Sequence, residues 1–292
     1  MSEIKRVAVT GANGYIGYHV VQELLSQNYE VIAVDLTNDS IDPRAIFKAI
    51  DIFSELNSAS NEKSIYEELG KPDLCIHLAW QDGFKHDSHR HMENLSNHYR
   101  FLLQMIEAGC SNIAVMGSMH EVGYWEGKID ENTPCNPLSQ YGIAKNALRQ
   151  SMIQLSKSLP FQLYWLRAYY ILGDDAKNHS IFAKLVQAEA EGKTSFPFTT
   201  GKNQYDFIDI HELAIQIVAA VTQSKITGII NVCSGQPVSL ATRVEQFIKD
   251  HHFKIQLDYG RFPDRPYDSP ITYGDAEKIQ SILLTANTKG GL

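Results

Sequence analysis

The sequence predicts an α/β protein: a doubly wound parallel sheet with a smaller C-terminal lobe. Three observations carry that expectation. Apolar, β-branched runs alternate with helical patterns through the first two thirds of the chain, the strand-like runs are apolar on both faces, and the alternation loosens from about Gly173. Strands buried on both sides and separated by helices are the mark of a parallel sheet covered on each face.

The elements justify themselves in order. "RVAVTG" reads as the first strand, "YIGYHVVQELLSQN" as the helix behind it and "YEVIAVDL" as the second strand. The strand "LCIHLAW", the helix "NLSNHYRFLLQMIEAG" and the strand "NIAVMGS" follow, then a helix from "PLSQYGIAK" onward and the strand "FQLYWLRAYYI". Beyond Gly173 come a helix in "HSIFAKLVQAEAEG" and a turn-rich "TTGKNQ". "YDFIDI", the helix "HELAIQIVAAVTQ" and "GIINVCSG" then read as a return to the sheet. Another helix, "LATRVEQFIKDH", precedes the Pro-rich "RFPDRPYDSP". The expected division is 1–172 plus 205–234 for the sheet domain and 173–204 plus 235–292 for the smaller lobe.

"VAVTGANGYIG" sets a strand, a glycine turn and a helix start in the order that dinucleotide binding requires. Gly11, Gly14 and Gly17 permit the tight turn, the approach of a pyrophosphate and the packing of helix on strand. The helix N-terminus then turns amides and positive potential toward phosphates. Asn13, Tyr15 and Ile16 share this turn and complete the first group of cofactor-contact candidates. Asp35 closes the second strand, placed to accept hydrogen bonds from a ribose diol and to repel a 2′-phosphate. No Arg follows it closely, so NAD is expected over NADP, bound to a Rossmann sheet.

In "PLSQYGIAK" a phenol and an ammonium, Tyr141 and Lys145, stand four residues apart among good helix formers, so they share one helix face. Composition narrows the rest. A net charge of −8 opposes nonspecific binding to nucleic acid or an anionic membrane. The first strand begins almost at once, which leaves no room for a signal peptide, and no apolar run reaches the length of a membrane span. Cys75, Cys110, Cys135 and Cys233 lie far apart and fit reduced thiols in a cytoplasmic protein. The stretch "HDSHRHMENLSNH", with His86, His89, His91 and His98, matches no familiar metal-ligand spacing. It is expected to be a solvated loop and helix start, with no metal.

With the glycine turn, Asp35 and the Tyr141/Lys145 pair together, the chain resembles the extended short-chain dehydrogenase/reductase superfamily along nearly its whole length. Within it, the chain is most similar to nucleotide-sugar epimerases, dehydratases and 4-ketoreductases. The resemblance implies NAD as cofactor, contacted also at Asp51 and Ile52, at Leu78, Ala79 and Trp80 of "HLAW", and at Asn94. It implies Tyr141 as general acid/base and Lys145 as the group that holds the nicotinamide ribose and favours the phenolate. The substrate-orienting hydroxyl falls on Ser118 counting from the strand and on Met119 counting back from Val122; Met119 cannot hydrogen-bond a carbonyl, so chemistry selects Ser118. The backward count sets His120 where dehydratases carry an Asp acid and Glu121 where they carry a Glu base. Whether Ser118 or His120 orients the substrate stays open.

"LRAYYILG" has Tyr169 and Tyr170 where relatives usually carry Phe-Asn, and Tyr205-Asp206 stands where they often have Arg-Asp. The "DRPYDSP" segment resembles a diphosphate-binding Arg-Pro segment and makes Arg265 the candidate clamp; Tyr170 and His120 are the other substrate-side candidates. The resulting expectation is reduction of a nucleotide-linked 4-keto-6-deoxysugar at C4. The alternatives are a nucleotide-sugar 4-epimerase or dehydratase, or a non-catalytic NAD-binding protein. A homodimer is also implied, pairing the helix around residues 94–108 with the one that carries Tyr141.

Overall fold

The computed structural model describes residues 4–53, 64–173, 178, 180–263 and 268–289. The chain opens with β1 (Arg6–Thr10), α1 (Tyr15–Ser26), β2 (Glu30–Asp35), β3 (Ile46–Ala49), α2 (Ile65–Glu68), β4 (Leu74–His77), α3 (Arg90–Glu93), α4 (Leu95–Glu107) and β5 (Asn112–Ser118). It continues through β6 (Gly127–Ile129), α5 (Gln140–Leu155), β7 (Gln162–Ala168), β8 (Tyr170–Leu172), α6 (Ile181–Ala190) and β9 (Ser195–Pro197). The last third holds β10 (Gln204–Asp209), α7 (Ile210–Val221), β11 (Gly228–Val232), β12 (Pro237–Ser239), α8 (Leu240–Asp250), β13 (Gln256–Asp258), β14 (Ile271–Gly274) and α9 (Glu277–Lys289).

Seven strands form one sheet in the order β3-β2-β1-β4-β5-β7-β11, every neighbouring pair parallel. The strand order reverses direction between β1 and β4, the switch point beside which doubly wound sheets bind nucleotides. The period-two alternation of each strand feeds two separate cores. Val7 and Val9 of β1 pack with Val20 and Leu24 of α1 and with Leu213 and Ile217 of α7. Ala8, between them, points to the opposite face, with Phe101 and Met105 of α4 and Leu148 and Met152 of α5. The parallel, doubly covered sheet expected from the sequence is therefore present.

A second sheet of five strands runs β12-β10-β14-β6, with β8 paired to β10. A third core lies beside it, built from Leu172, Phe182, Leu185 and Phe198 on one chain segment and Val244, Phe247 and Ile255 on another. "GIINVCSG" returns to the large sheet as β11, but "YDFIDI" does not. It forms β10, in the middle of the second sheet between β12 and β14. Buried Asp206 fixes it there, accepting hydrogen bonds from the amides of Ser234, Gly235 and Gly274 and from the Ser234 hydroxyl. The strand β3 goes beyond the sequence expectation. It is an edge strand with exposed ends and lacks the apolar run that marked the others.

Candidate active site

The carboxyl ends of the large sheet open into a cavity of about 1030 Å³ that reaches across to the second sheet. At one end lies the glycine turn. Gly11 takes φ +70°, and a Cβ there would sit 2.7 Å from the Ala79 amide nitrogen; a Cβ on Gly17 would sit 2.0 Å from the Gly11 carbonyl oxygen. No side chain heavier than hydrogen fits either place, so the β1–α1 turn lies flush on the segment after β4. Helix α1 has Gly14 as its N-cap and no side-chain cap, leaving its first amides for a ligand. The Asp35 carboxylate accepts the Asn13 amide (2.9 Å) and the Leu36 amide (2.7 Å), fixing it at the end of β2 on the cavity wall.

Gly11, Gly14, Tyr15, Ile16, Gly17, Asp35, Asp51, Ile52, Leu78, Ala79 and Trp80 all line this cavity. Two of the cofactor candidates do not. Asn13 turns its amide group to Thr37 and Ser40, and Asn94, at the α3–α4 junction, bonds Gln81, which itself faces the cavity. Both support the wall from behind it.

Ser118, Tyr141 and Lys145 come together at the centre, with Lys145 Nζ 5.8 Å from the Tyr141 ring centroid. Gly142 allows this approach, because a Cβ on it would lie 2.3 Å from the His120 carbonyl oxygen. The 3-10 turn Met119–Glu121 can therefore pack directly on the start of α5. Burial drives both ionisable groups toward neutrality. It pushes the Tyr141 phenol up to about 12, with the Ser118 side chain acting the other way, and lowers Lys145 to about 7, opposed by the charge of Glu121. Lys145 donates to the Met116 carbonyl at 2.7 Å and lies 3.6 Å from the Trp80 ring centroid.

Glu121 is fully buried and does not face the cavity. Its carboxylate accepts the Ser118 amide (2.6 Å) and the Trp165 indole N–H (3.0 Å), with Arg149 at 3.4 Å and Arg167 at 3.6 Å. Met119 is buried in the core, whereas Ser118 and His120 both line the cavity.

The histidine stretch corrects the expectation of a solvated loop. His91 and His98 are each 1% exposed. His86 stacks on Tyr141 with ring centroids 5.1 Å apart and meets His120 at 4.3 Å; its carbonyl accepts the Tyr141 amide. Sequence reasoning missed this ring of imidazoles around the phenol. The crowding of histidines just after "HLAW" was the available signal, but its meaning depends on the loop folding back over α5. Among the described residues no group of three His, Cys, Asp or Glu is placed to hold a metal.

On the second-sheet side the wall is aromatic. Tyr170 packs against Tyr205 (4.5 Å) and Phe207 (5.7 Å), and Phe196, Phe198 and Phe262 also face in. Tyr169 also lines the cavity, while its hydroxyl donates to Asn231 Oδ1 at 3.2 Å. Arg265 lies outside the described residues; Pro263 and Asp268 on either side of its segment line the cavity.

Comparison with known proteins agrees with this layout. Residues 7–233 match the family described as "NAD dependent epimerase/dehydratase family". The chain is 46% identical to the dTDP-6-deoxy-L-talose 4-dehydrogenase (NAD(+)) of Aggregatibacter actinomycetemcomitans, over 92% of this chain and 98% of that one. It is 24% identical to UDP-arabinose 4-epimerase 1 of Arabidopsis thaliana, over 96% and 75% of the two chains. Among solved structures, the UDP-N-acetylglucosamine 4-epimerase from Methanobrevibacter ruminantium superposes with a TM-score of 0.80 at 18% identity, covering 96% of this chain and 92% of that one.

Proposed function

The chain belongs to the NAD dependent epimerase/dehydratase family, and on that footing we propose that it is an NAD-dependent oxidoreductase acting at C4 of a nucleotide-linked 6-deoxyhexose. In the reductive direction the substrate is the 4-keto-6-deoxysugar. The observation that carries this reading is the 46% identity, across nearly the full length of both chains, to a 4-dehydrogenase of a dTDP-linked 6-deoxyhexose. The site supports oxidation–reduction over dehydration. The position where a dehydratase keeps its base is Glu121, and here that carboxylate is bound to Trp165 and the Ser118 amide beneath the cavity floor.

The cradle fits NAD on structural grounds. Gly11 and Gly17 clear the space a Cβ would fill, the uncapped α1 amides suit a pyrophosphate, and the Asp35 carboxylate suits an unphosphorylated ribose diol. Bound there, the nicotinamide supplies or accepts the hydride. The chain's own residues do the rest. Ser118 aligns the C4 oxygen beside the Tyr141 phenol. At neutral pH Tyr141 carries its proton, so it is poised to give that proton to the oxygen of a ketone as the oxygen gains charge. Running in reverse it must first lose the proton, which from about 12 costs ~7 kcal/mol at neutrality. The Lys145 ammonium offsets part of that through its proximity. The imidazoles of His86 and His120 flank the phenol and exclude water from its face.

On the substrate side we assign the hexose to the space between Tyr170 and His120, and the diphosphate to the segment that holds Arg265. Asp35 favours NAD over NADP. A homodimer built on α4 and α5 fits the exposed Leu138 and Ile143 at the start of α5. Three buried thiols and one partly buried, all free, suit the cytoplasm; among the described residues no helix is long and apolar enough to cross a membrane. The test is NADH oxidation against a panel of nucleotide-linked 4-keto-6-deoxyhexoses, with product stereochemistry read by NMR. Turnover of a dTDP-linked member is expected. Inversion of C4 in a nucleotide-linked alcohol without net NADH consumption would identify an epimerase instead.

A further inference from the structure

Lys145 is held in an unusual way. It makes no ion pair among the described residues, and its hydrogen bond runs to the neutral carbonyl of Met116. Two aromatic faces also meet it: the indole of Trp80, 3.6 Å from Nζ to the ring centroid, and, farther off, the Tyr141 ring at 5.8 Å. Trp80 is in turn fixed from several directions. Its Nε1–H donates to His91 Nδ1 at 3.0 Å, the His98 imidazole stacks on it at 4.2 Å with 9° between planes, and the Tyr141 ring meets it edge-on at 6.0 Å. His98 Nδ1 lies 2.8 Å from His77 Nε2, and His77 Nδ1 lies 2.8 Å from Thr10 Oγ1. One contact chain thus runs from the end of β1, beside the glycine turn, through two imidazoles and an indole to the Lys145 ammonium.

The donor inventory makes the first link directional. An indole N–H can only donate, so His91 Nδ1 must be the unprotonated acceptor, and its Nε2–H then donates to the Lys85 carbonyl at 2.9 Å. These two contacts fix the plane of the His91 ring and, through it, the orientation of the Trp80 indole. His77 and His98 are kept neutral by burial, His77 down to about 3. The groups facing Lys145 are therefore neutral imidazoles from β4 and α4 (His77 and His98), the neutral Tyr141 of its own helix, and one buried carboxylate, Glu121, after β5.

We propose that Trp80 is the positioning residue for Lys145: its indole face, oriented by His91 and His98, holds the ammonium and keeps it charged beside Tyr141. Resting on the function proposed above, this assigns to an aromatic face the support that a buried ammonium usually takes from a carboxylate. A desolvated cation on an indole face is among the stronger non-covalent contacts available to a lysine.

The test uses the cofactor-free protein and does not depend on turnover. Lysine labelled with carbon-13 at the ε position reports the Lys145 titration by NMR, with Lys145→Met identifying the resonance. Trp80→Phe keeps an aromatic face and should leave that titration within a few tenths of a pH unit. Trp80→Leu should lower it by about one pH unit. Uniform replacement of the three tryptophans by a fluorinated analogue, which drains the ring face without changing its shape, should lower it in the same direction even if Trp80→Leu folds poorly. A Lys145 titration unchanged or raised in both the Leu variant and the fluorinated protein overturns the proposal. If instead the titration moves as expected but the wild type turns over no nucleotide-linked ketosugar, the positioning role stands and the assigned reaction fails.

Discussion

The two walls of the cavity are built by different means. On the large-sheet side, the wall is set by backbone features: a glycine turn pressed onto the segment after β4, a strand end that presents Asp35, and the first amides of α1. On the second-sheet side, it is mostly side chains, with Tyr170, Tyr205 and Phe207 stacked from two strands and further aromatics from separate chain segments. A wall made of backbone can receive only a ligand with one fixed shape, such as a dinucleotide. A wall made of side chains can be re-cut by substitution without disturbing the fold. That difference predicts a cofactor side that is rigid and a substrate side where specificity resides. Tyr141, the proposed acid/base, stands between the two.

The largest effect should come from the group between the walls. Tyr141→Phe retains the ring that packs against Trp80 and His86 and removes only the proton-transferring oxygen. Turnover should drop by roughly 10²–10⁴, with NAD affinity changed no more than a few fold; steady-state kinetics and calorimetric titration read the two. Comparable losses in both would mean that the phenol belongs to the cofactor wall.

Next comes Arg265, the proposed diphosphate clamp, which lies outside the described residues. Arg265→Ala should raise KM for the nucleotide-linked sugar roughly ten- to a hundredfold, because hydrogen bonds to a charged group contribute about 1.5–3 kcal/mol. Because the diphosphate is remote from the reacting carbon, kcat should fall much less, and NAD binding should not move. A loss of NAD affinity in this variant would erase the distinction between the walls.

A smaller change is expected at the cofactor wall, where we propose that specificity rests on one carboxylate, Asp35. Asp35→Ala combined with Leu36→Arg, at a position 61% exposed beside it, should shift the NAD/NADP affinity ratio about tenfold toward NADP. An unmodified protein that already binds NADPH more tightly than NADH would contradict the role given to Asp35.

The smallest effect is on stability, and it separates the walls by pH. The folded His77 takes a proton only near pH 3, whereas the unfolded chain takes it near 6.5. Acidification through that window therefore favours unfolding, by ~1 kcal/mol at pH 5.5 and more below. The pH dependence of the melting temperature should flatten in His77→Asn between pH 7 and 5. An unchanged slope would mean that His77 is not held neutral under the cofactor wall.

How much of this was legible depended on where the constraint lies. A turn that tolerates only glycine writes itself into the chain at Gly11 and Gly17, and a helix face records the spacing of Tyr141 and Lys145. The apolar run "YDFIDI" announced a strand but not which sheet would take it; that is decided by the carboxylate of Asp206 and the distant amides it collects. The histidines of residues 86–98 read as polar because nothing local says that two of them will be buried beneath the Tyr141 helix. The withdrawal of Glu121 from the cavity was equally silent, since its partners Arg149, Trp165 and Arg167 sit on other elements.

The central claim is that Tyr141 protonates a C4 ketone as hydride arrives from NADH. Its most direct test is a reaction of a dTDP-linked 4-keto-6-deoxyhexose with NADH deuterated at the transferable position, followed by NMR of the isolated sugar. One deuterium at C4, with one NADH consumed for each hexose reduced, is the result expected. Deuterium at another carbon, or a C4 alcohol of altered configuration formed with no NADH consumed, would contradict it.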